Sequence, residues 1–137
     1  MTDQPPFRPS GRWLQDLGLE IDEQSGTRMV AHLHITPDLL TPWGVVHGGV
    51  YTTVVESIGS IGASLAVVER GEFAVGVNNA TDFFRSVSEG RIDIVGTPVQ
   101  QGRTQQVWLV DLRRADDGAL VAQGRLRAQN VPLSRVR

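Results

Sequence analysis

The sequence predicts one α+β domain, because a single long helical pattern is followed by a run of strand-like segments in a chain of globular composition. The chain has 137 residues, of which 40% are hydrophobic and 20% are charged. A chain of this length can bury a core without disulfides or metal ions. The sequence contains no cysteine, so we expect no disulfide, no thiolate metal site and no cysteine nucleophile.

The helical pattern lies between residues 46 and 69. Apolar side chains recur there at steps of three and four residues, which places them on one face of a helix. Gly59, Gly62 and several β-branched residues lower the helix propensity, so tertiary packing must stabilise this helix. The glycines also predict close approach to another backbone. The apolar series is Val50, Val54, Ile58, Ile61, Leu65 and Val68.

Strand-like segments lie on both sides of the helix. Residues 19–35 precede it, and four candidates follow it at 73–84, 91–99, 104–113 and 120–130. Turn-forming residues separate the four, as in Asp116-Asp117-Gly118. The resulting antiparallel meander must bury its apolar face, and the helix is the candidate for covering it.

The ends of the chain are predicted to lie outside the domain. Residues 1–12 read as a disordered lead-in because they contain three prolines and Gly11. Residues 13–17 form a short helical turn before Gly18 in this prediction, the domain spans 13–130, and 131–137 is a loose tail. We see neither a secretory signal nor a run of ~20 apolar residues, so we expect a cytoplasmic protein without a membrane partner.

Charge and histidine content restrict the partners and cofactors. The net charge of -2 argues against a broad nucleic-acid-binding surface. The arginines near the C-terminus are interpreted as a solvated strand face and tail, with a local anion site as the alternative. His32 and His34 share one strand face, but the sequence offers no third ligand near them. We therefore expect no metal site and no cofactor.

A motif at the start of the helix is more specific. Residues 41–49 read Thr-Pro-Trp-Gly-Val-Val-His-Gly-Gly, and Glu56 follows nine positions after His47. With Phe84-Arg85-Ser86-Val87, Gly102-Arg103 and the final strand, this resembles small hotdog-fold thioesterases of the phenylacetate-pathway and 4-hydroxybenzoyl-CoA types over about residues 13–130. The resemblance implies a curved antiparallel sheet around one long helix, homodimers or homotetramers, and hydrolysis of an acyl-CoA to the free acid and coenzyme A.

Two positions depart from the pattern of that family. The sixth position before the His is commonly Gln or Asn in the family, where it contacts the thioester or the lytic water. Here the position holds Thr41, which leaves that role open. The Pro of the family's Arg-Pro-Val segment is replaced by Ser86.

Glu56 is the candidate catalytic carboxylate. Between residues 46 and 68 no other acidic residue occurs, and His47 is the single basic one. A lone carboxylate in so apolar a helix is unfavourable unless it has a function. It could attack the thioester carbonyl or act as general base for water, and the sequence leaves both routes open.

The start of the helix is the candidate oxyanion site, because the first N–H groups of a helix have no intrahelical partner. Gly48 and Gly49 leave room for a ligand, and the resemblance assigns the Gly49 N–H, with a tight loop-to-helix turn as the alternative. His47 either contacts the substrate carbonyl or caps the helix. Ser60 either holds the nucleophile or water, as the resemblance implies, or allows close packing.

The remaining candidates concern the substrate. Trp43, Phe83 and Phe84 are expected to form apolar walls that suit an aryl or medium-chain acyl group. The resemblance implies that Arg85 and Arg103 hold the coenzyme A phosphates, with inert surface arginines as the alternative. Two other functions stay open: a thioesterase for an acyl carrier protein, and a non-catalytic acyl-CoA-binding hotdog module.

Oligomerisation is the last expectation. A face of small residues on the strand after the helix is suited to close approach by another element, and a two-fold homo-oligomer is predicted. That face comprises Ala74, Gly76, Asn78 and Ala80.

Overall fold

The computed structural model describes residues 11–135 and consists of a six-stranded antiparallel sheet packed on one long helix. The strand order is β1-β2-β4-β5-β6-β3, so β1 and β3 are the two edges. The predicted α+β architecture is therefore confirmed. In chain order the elements are α1 (Arg12–Leu17), β1 (Glu20–Gln24), β2 (Met29–His34), α2 (Gly48–Val67), β3 (Glu72–Phe83), β4 (Arg91–Gln101), β5 (Gln105–Arg114) and β6 (Leu120–Pro132), with 3-10 turns at Pro37–Leu39, Val68–Arg70 and Leu133–Arg135.

The predicted ends of the domain need correction at both termini. Helix α1 (Arg12–Leu17) already begins at Arg12, and the residue that follows it, Gly18, has a φ of 73°, the left-handed C-cap conformation. Strand β6 continues to Pro132, beyond the predicted end at residue 130. The turn after it is tied to the domain, because the Leu133 N–H donates to Gly71 O at 2.9 Å. Residues 1–10 and 136–137 of the predicted lead-in and tail lie outside the described residues.

Helix α2 forms the centre of the core, because the sheet approaches it closely at its glycines. A Cβ at Gly59 would lie 2.7 Å from Leu126 Cδ2, and one at Gly62 would lie 2.5 Å from Trp108 Cη2. Trp108 and Leu126 are fully buried. The sheet does approach the helix closely at both glycines, but side chains of β5 and β6 make the contacts, so the prediction of another backbone is wrong here.

The same helix is apolar enough to be mistaken for a membrane span. The stretch Gly48–Arg70 has 23 residues, which is long enough to cross a bilayer, and its most apolar part has a mean hydropathy of 1.3. However, 56% of that part is buried inside the protein. The helix packs on β3, β4, β5 and β6. We therefore interpret it as a core helix.

A bulge in β3 decides which of its side chains face α2. The register with β6 shifts between Gly76 and Asn78. Gly76 faces the helix, but beyond the bulge Asn79 and Thr81 turn inward while Asn78 is exposed. A one-residue shift exchanges the two faces of a strand, so the predicted face of small residues is wrong after Gly76. Its first half contacts this chain's own helix.

The close approach at Gly62 is testable by Gly62→Ala. The added methyl group would collide with the buried Trp108 ring, so we expect a loss of about 1–3 kcal/mol in the free energy of unfolding, measured by urea titration. Gly11→Ala is the control, because a Cβ at Gly11 has nothing within 4 Å. A stability gain in Gly62→Ala, as helix propensity alone predicts, would contradict this packing.

Candidate active site

Glu56 is half-buried on the side of α2 that faces β3. Asn79 Nδ2 donates to Glu56 Oε2 at 3.3 Å and to Thr52 O at 3.0 Å. Thr81 Oγ1 in turn donates to Asn79 Oδ1 at 2.7 Å, which fixes the orientation of the amide group. The carboxylate is therefore held by the Asn79 side chain, whose amide nitrogen and amide oxygen both make further hydrogen bonds within the protein.

Gly76 allows β3 to pass directly beside this carboxylate. A Cβ at Gly76 would collide with Glu56 Oε1. Because β3 is an edge strand, no further strand of the described chain covers that side. The carboxylate thus lies next to an open edge of the sheet.

Two adjoining cavities extend from Glu56 along α2. The first, of about 460 Å³, contains the carboxylate and is lined by Trp13, Leu14, Thr52, Thr53, Glu56, Ser57 and Asn79. The second, of about 600 Å³, lies towards the start of α2. Trp13 and Thr53 line both, so α1 forms a shared wall. The second cavity is lined by Arg12, Trp13, Asp16, Leu17, Asp38, Leu39, Leu40, His47, Gly49, Val50 and Thr53.

The start of α2 is capped by His47. Its Nδ1 accepts a hydrogen bond from the Gly49 N–H at 2.8 Å, so the donor that was assigned to the oxyanion is already occupied here. The Gly48 N–H, in contrast, meets no acceptor among residues 11–135. The free donor at this helix start is therefore one residue earlier than the sequence analysis placed it.

The cap also determines what His47 can offer to a ligand. A neutral imidazole whose Nδ1 accepts carries its proton on Nε2. His47 lines the 600 Å³ cavity, so its second nitrogen is available as a donor there. Capping and substrate contact are therefore compatible roles, not alternatives.

A third cavity, of about 200 Å³, lies on the other side of the helix start. It is lined by Val45, Val46, Gly48, Tyr51, Phe83, Phe84, Arg85 and Ser86. Phe83 lies directly over Gly48, where a Cβ would be 2.6 Å from the ring carbon Cε2. The structure thus brings Gly48, Phe83, Phe84 and Arg85 together at one cavity.

Tyr51 is a residue of this third cavity that the sequence analysis missed. It is 2% exposed, and its hydroxyl has no hydrogen-bond partner in the described part of the chain. Burial raises the pKa of this phenol. An unpaired buried hydroxyl is unfavourable by about 1–3 kcal/mol, so a polar ligand atom at this position would be stabilising.

Three predicted residues lie apart from these cavities. The Thr41 hydroxyl accepts from the Trp43 N–H at 3.3 Å within a turn, and Trp43 is 85% exposed. Ser60 is half-buried one turn beyond Glu56, whereas Ser57 lines the cavity at the carboxylate. The apolar wall expected from Trp43 is instead supplied by Trp13 and the leucines of the 600 Å³ cavity.

The two predicted phosphate-binding arginines lie at opposite ends of α2. Arg85 is near its start, while the Arg103 carbonyl accepts from Arg70 Nη2 at 2.7 Å, just after its end. The helix has 20 residues, which corresponds to a length of about 30 Å. Within one chain, Arg85 and Arg103 therefore cannot hold the same phosphate group.

Comparison with known proteins identifies the family to which this chain belongs. A sequence profile of the Thioesterase superfamily matches residues 44–121, a segment that contains the helix start, Glu56 and Asn79. The chain belongs to the thioesterase superfamily. It has the hotdog fold and is a thioester hydrolase.

Individual relatives agree with this assignment. A candidate esterase of Mycobacterium tuberculosis is 43% identical over 118 residues, which cover 85% of this chain and 84% of that protein. Its solved structure has a TM-score of 0.85 at 41% identity, over 89% of this chain and 98% of that one. A thioesterase structure from Haemophilus influenzae gives 0.83 at 31% identity, over 90% and 85%. The 1,4-dihydroxy-2-naphthoyl-CoA thioesterase 2 of Arabidopsis thaliana is 34% identical over 74% of this chain and 64% of that protein.

The role of Asn79 in holding the carboxylate can be tested by Asn79→Ala. Hydrogen bonds to charged groups contribute about 1.5–3 kcal/mol, so we expect kcat to fall about 10- to 100-fold while KM changes little, measured with any thioester that the wild type cleaves. Asn78→Ala is the matched control, since Asn78 is the exposed neighbour on the same strand. Equal losses in the two variants, or a lowered unfolding midpoint that accounts for the loss, would refute the positioning role.

Proposed function

We propose that this protein hydrolyses acyl-CoA thioesters, with Glu56 attacking the carbonyl carbon or activating the water that does. The observation that carries the proposal is the placement of Glu56, which Asn79 orients at the border of a 460 Å³ cavity. Thioester hydrolysis needs an oxygen nucleophile and a polarised carbonyl. The thiolate leaves readily, so little acid assistance is required.

The 600 Å³ cavity supports an aryl or medium-chain acyl group as the substrate. Its volume lies in the range of small-molecule sites, and Trp13, Leu17, Leu39, Leu40 and Val50 provide apolar lining. Burying an aromatic ring there gains ~2–3 kcal/mol that an acetyl group lacks. The aryl-CoA named for the Arabidopsis relative points in the same direction.

The oxyanion donor in this proposal is the Gly48 N–H, and His47 Nε2 is a donor to another part of the substrate in the 600 Å³ cavity. An oxyanion donor contributes about 2.7–4 kcal/mol when it is aimed at the developing charge. Arg85, beside Gly48 in the 200 Å³ cavity, is proposed to contact a phosphate of coenzyme A.

The spacing of these groups along α2 favours a site shared by two chains. Gly48 and Glu56 are eight residues apart on α2, which corresponds to about 12 Å along its axis. In a direct attack the nucleophile lies about 3 Å from the carbonyl carbon, the C=O bond adds about 1.2 Å, and the donor lies about 3 Å from the oxygen, so the three groups span about 7 Å at most. We therefore propose that Glu56 of one copy acts with the helix start of a second copy.

The edge strand β3 is the proposed surface for that second copy. It spans 12 residues and pairs only with β6 among the described strands. Its exposed apolar residues include Val75, Val77 and Phe83, with Phe84 immediately after it. A long apolar edge strand favours pairing with another chain, and such pairing would place the partner beside Gly76 and the carboxylate.

The proposed role of Glu56 predicts that Glu56→Gln reduces hydrolysis at least ~100-fold, because the amide keeps the shape but can neither attack nor accept a proton. The assay is release of free thiol from benzoyl-, phenylacetyl-, octanoyl- and acetyl-CoA. The wild type should show a higher kcat/KM for the first three than for acetyl-CoA. Glu69→Gln is the control, because Glu69 is exposed just beyond the end of α2.

Two results would overturn the proposal in different ways. Wild-type turnover by folded Glu56→Gln would remove the carboxylate from the mechanism. Cleavage of a carrier-protein thioester, with every free acyl-CoA left intact, would keep the mechanism but replace coenzyme A by the carrier protein.

A shared active site predicts complementation between two inactive variants. Glu56→Gln and His47→Ala homo-oligomers should each be inactive, but unfolding and refolding them together in equal amounts should restore about a quarter of wild-type activity, since half of the resulting dimers are mixed and each has one intact site. No recovery from well-folded mixtures would place both residues of a site in one chain.

The surface itself is tested by Val77→Lys, which puts a charge on the β3 edge. Light scattering should show 14.9 kDa monomers and activity should be lost. Val99→Lys changes a similarly exposed valine on β4, inside the sheet, and should leave the oligomer intact. An active monomeric wild type would contradict the assembly.

A further inference from the structure

A cluster of histidine and carboxylate side chains lies on the outer face of the β1–β2 pair, away from α2. Met29, Ala31 and Leu33 are buried on the inner face of β2, so His32 and His34 point outward. Their rings meet edge to face with centroids 5.6 Å apart. The sequence predicts this pair but no third ligand, and the fold now supplies one.

The additional groups come from β1. Glu20 is the cross-strand partner of His32, and its Oε2 lies 2.6 Å from His32 Nε2. The register of the two strands shifts between Ile21 and Glu23, which leaves Asp22 as the extra residue of a bulge. Bulges re-aim side chains, and Asp22 Oδ2 lies 2.6 Å from His32 Nδ1. Sequence periodicity does not reveal this arrangement.

We propose that Glu20, His32 and His34 bind a divalent transition-metal ion of the Zn²⁺ class, with Asp22 orienting the His32 ring. One ligand atom from each of the three residues lies within 4.8 Å of the others. A tetrahedral ion with bonds of about 2.0–2.2 Å needs its ligand atoms about 3.3–3.5 Å apart. Side-chain rotations that move the three ligand atoms by about 1 Å would achieve that spacing.

The ligand set and its support match zinc chemistry. Two imidazoles and one carboxylate are a known zinc donor set, with the fourth position left to water. A metal-binding His usually donates its other ring nitrogen to a carboxylate, which fixes the tautomer. Asp22 on Nδ1 provides that contact and leaves Nε2 of His32 for the metal.

The charges around the cluster also favour a cation. Asp93 and Arg91 on β4 are the cross-strand partners of His32 and His34. These two form their own ion pair, with Arg91 Nε 2.8 Å from Asp93 Oδ1. The carboxylates of Glu20 and Asp22 therefore remain to neutralise a divalent ion.

The location of the cluster indicates what a bound ion would do. Strand β1 is an edge of the sheet, and its residues are all exposed, so few apolar contacts hold it. An ion that joins Glu20 on β1 to two histidines on β2 would fasten this edge. Glu56 lies on the opposite, helix-facing side of the sheet, so the site is separate from the catalytic one.

The test is a Co²⁺ titration of the full chain after treatment with EDTA. We expect one Co²⁺ per chain with the intense visible absorption of a tetrahedral ion, displaced by Zn²⁺, and a higher unfolding temperature with Zn²⁺ bound. His34→Ala and Glu20→Gln should abolish the spectrum. Asp22→Asn should weaken binding about 10- to 100-fold, as loss of an orienting partner does.

Two matched controls should bind Co²⁺ as the wild type does. Glu23→Gln removes a carboxylate of the same strand, one that faces Arg28 at 3.7 Å instead. His47→Ala removes the remaining histidine of the three in the chain. No saturable binding up to about millimolar Co²⁺, or binding that survives His34→Ala, would overturn the proposal and leave a hydrogen-bonded cluster only.

Discussion

The structure depends on how closely the sheet approaches α2, because the helix has little stability of its own and every functional group is positioned relative to it. Glycines on both partners permit that approach. On the helix, Gly59 and Gly62 receive Leu126 and Trp108; on the sheet, Gly96 receives Ile58 and Gly124 receives Val55. Gly76 continues the series at the edge of the sheet, but the side chain that it receives is Glu56. The Glu56 carboxylate thus occupies a place where the side chains that α2 and the sheet exchange at the other four glycines are apolar.

This packing explains why the carboxylate needs Asn79. A charged group at a helix–sheet contact must be hydrogen-bonded, since desolvation without a partner is strongly unfavourable. The bulge in β3 turns Asn79 towards the helix, and the amide serves both Glu56 and the Thr52 carbonyl. The same bulge leaves the other carboxylate oxygen beside Gly76 at the open edge. One local irregularity therefore both satisfies the charge and keeps it accessible.

The sequence was sufficient for the parts of the fold that follow a repeating pattern. The helix, the four strands after it and the placement of Glu56 all come from apolar periodicity and from one motif. Periodicity cannot report a bulge, so Asn79 was missed and Asn78 was placed on the wrong face. It also cannot report a side chain that reaches back onto its own helix start, so the sequence does not reveal that His47 caps the Gly49 N–H. Trp13 and Tyr51 were missed because single aromatic residues give no spacing signal, and Trp43 was misplaced for the same reason.

The geometry of α2 also separates its two functional ends in a way that constrains the mechanism. A helix fixes both the free donor at its start and the carboxylate two turns later, and it cannot bend to bring them onto one carbonyl. The glutamate side chain shortens the gap of about 12 Å along the axis only in part. Two such helices side by side in opposite directions would close it, since each start would then face the middle of the other. The open β3 edge beside Gly76 is where a second helix and sheet could come this close, as the proposed shared site requires.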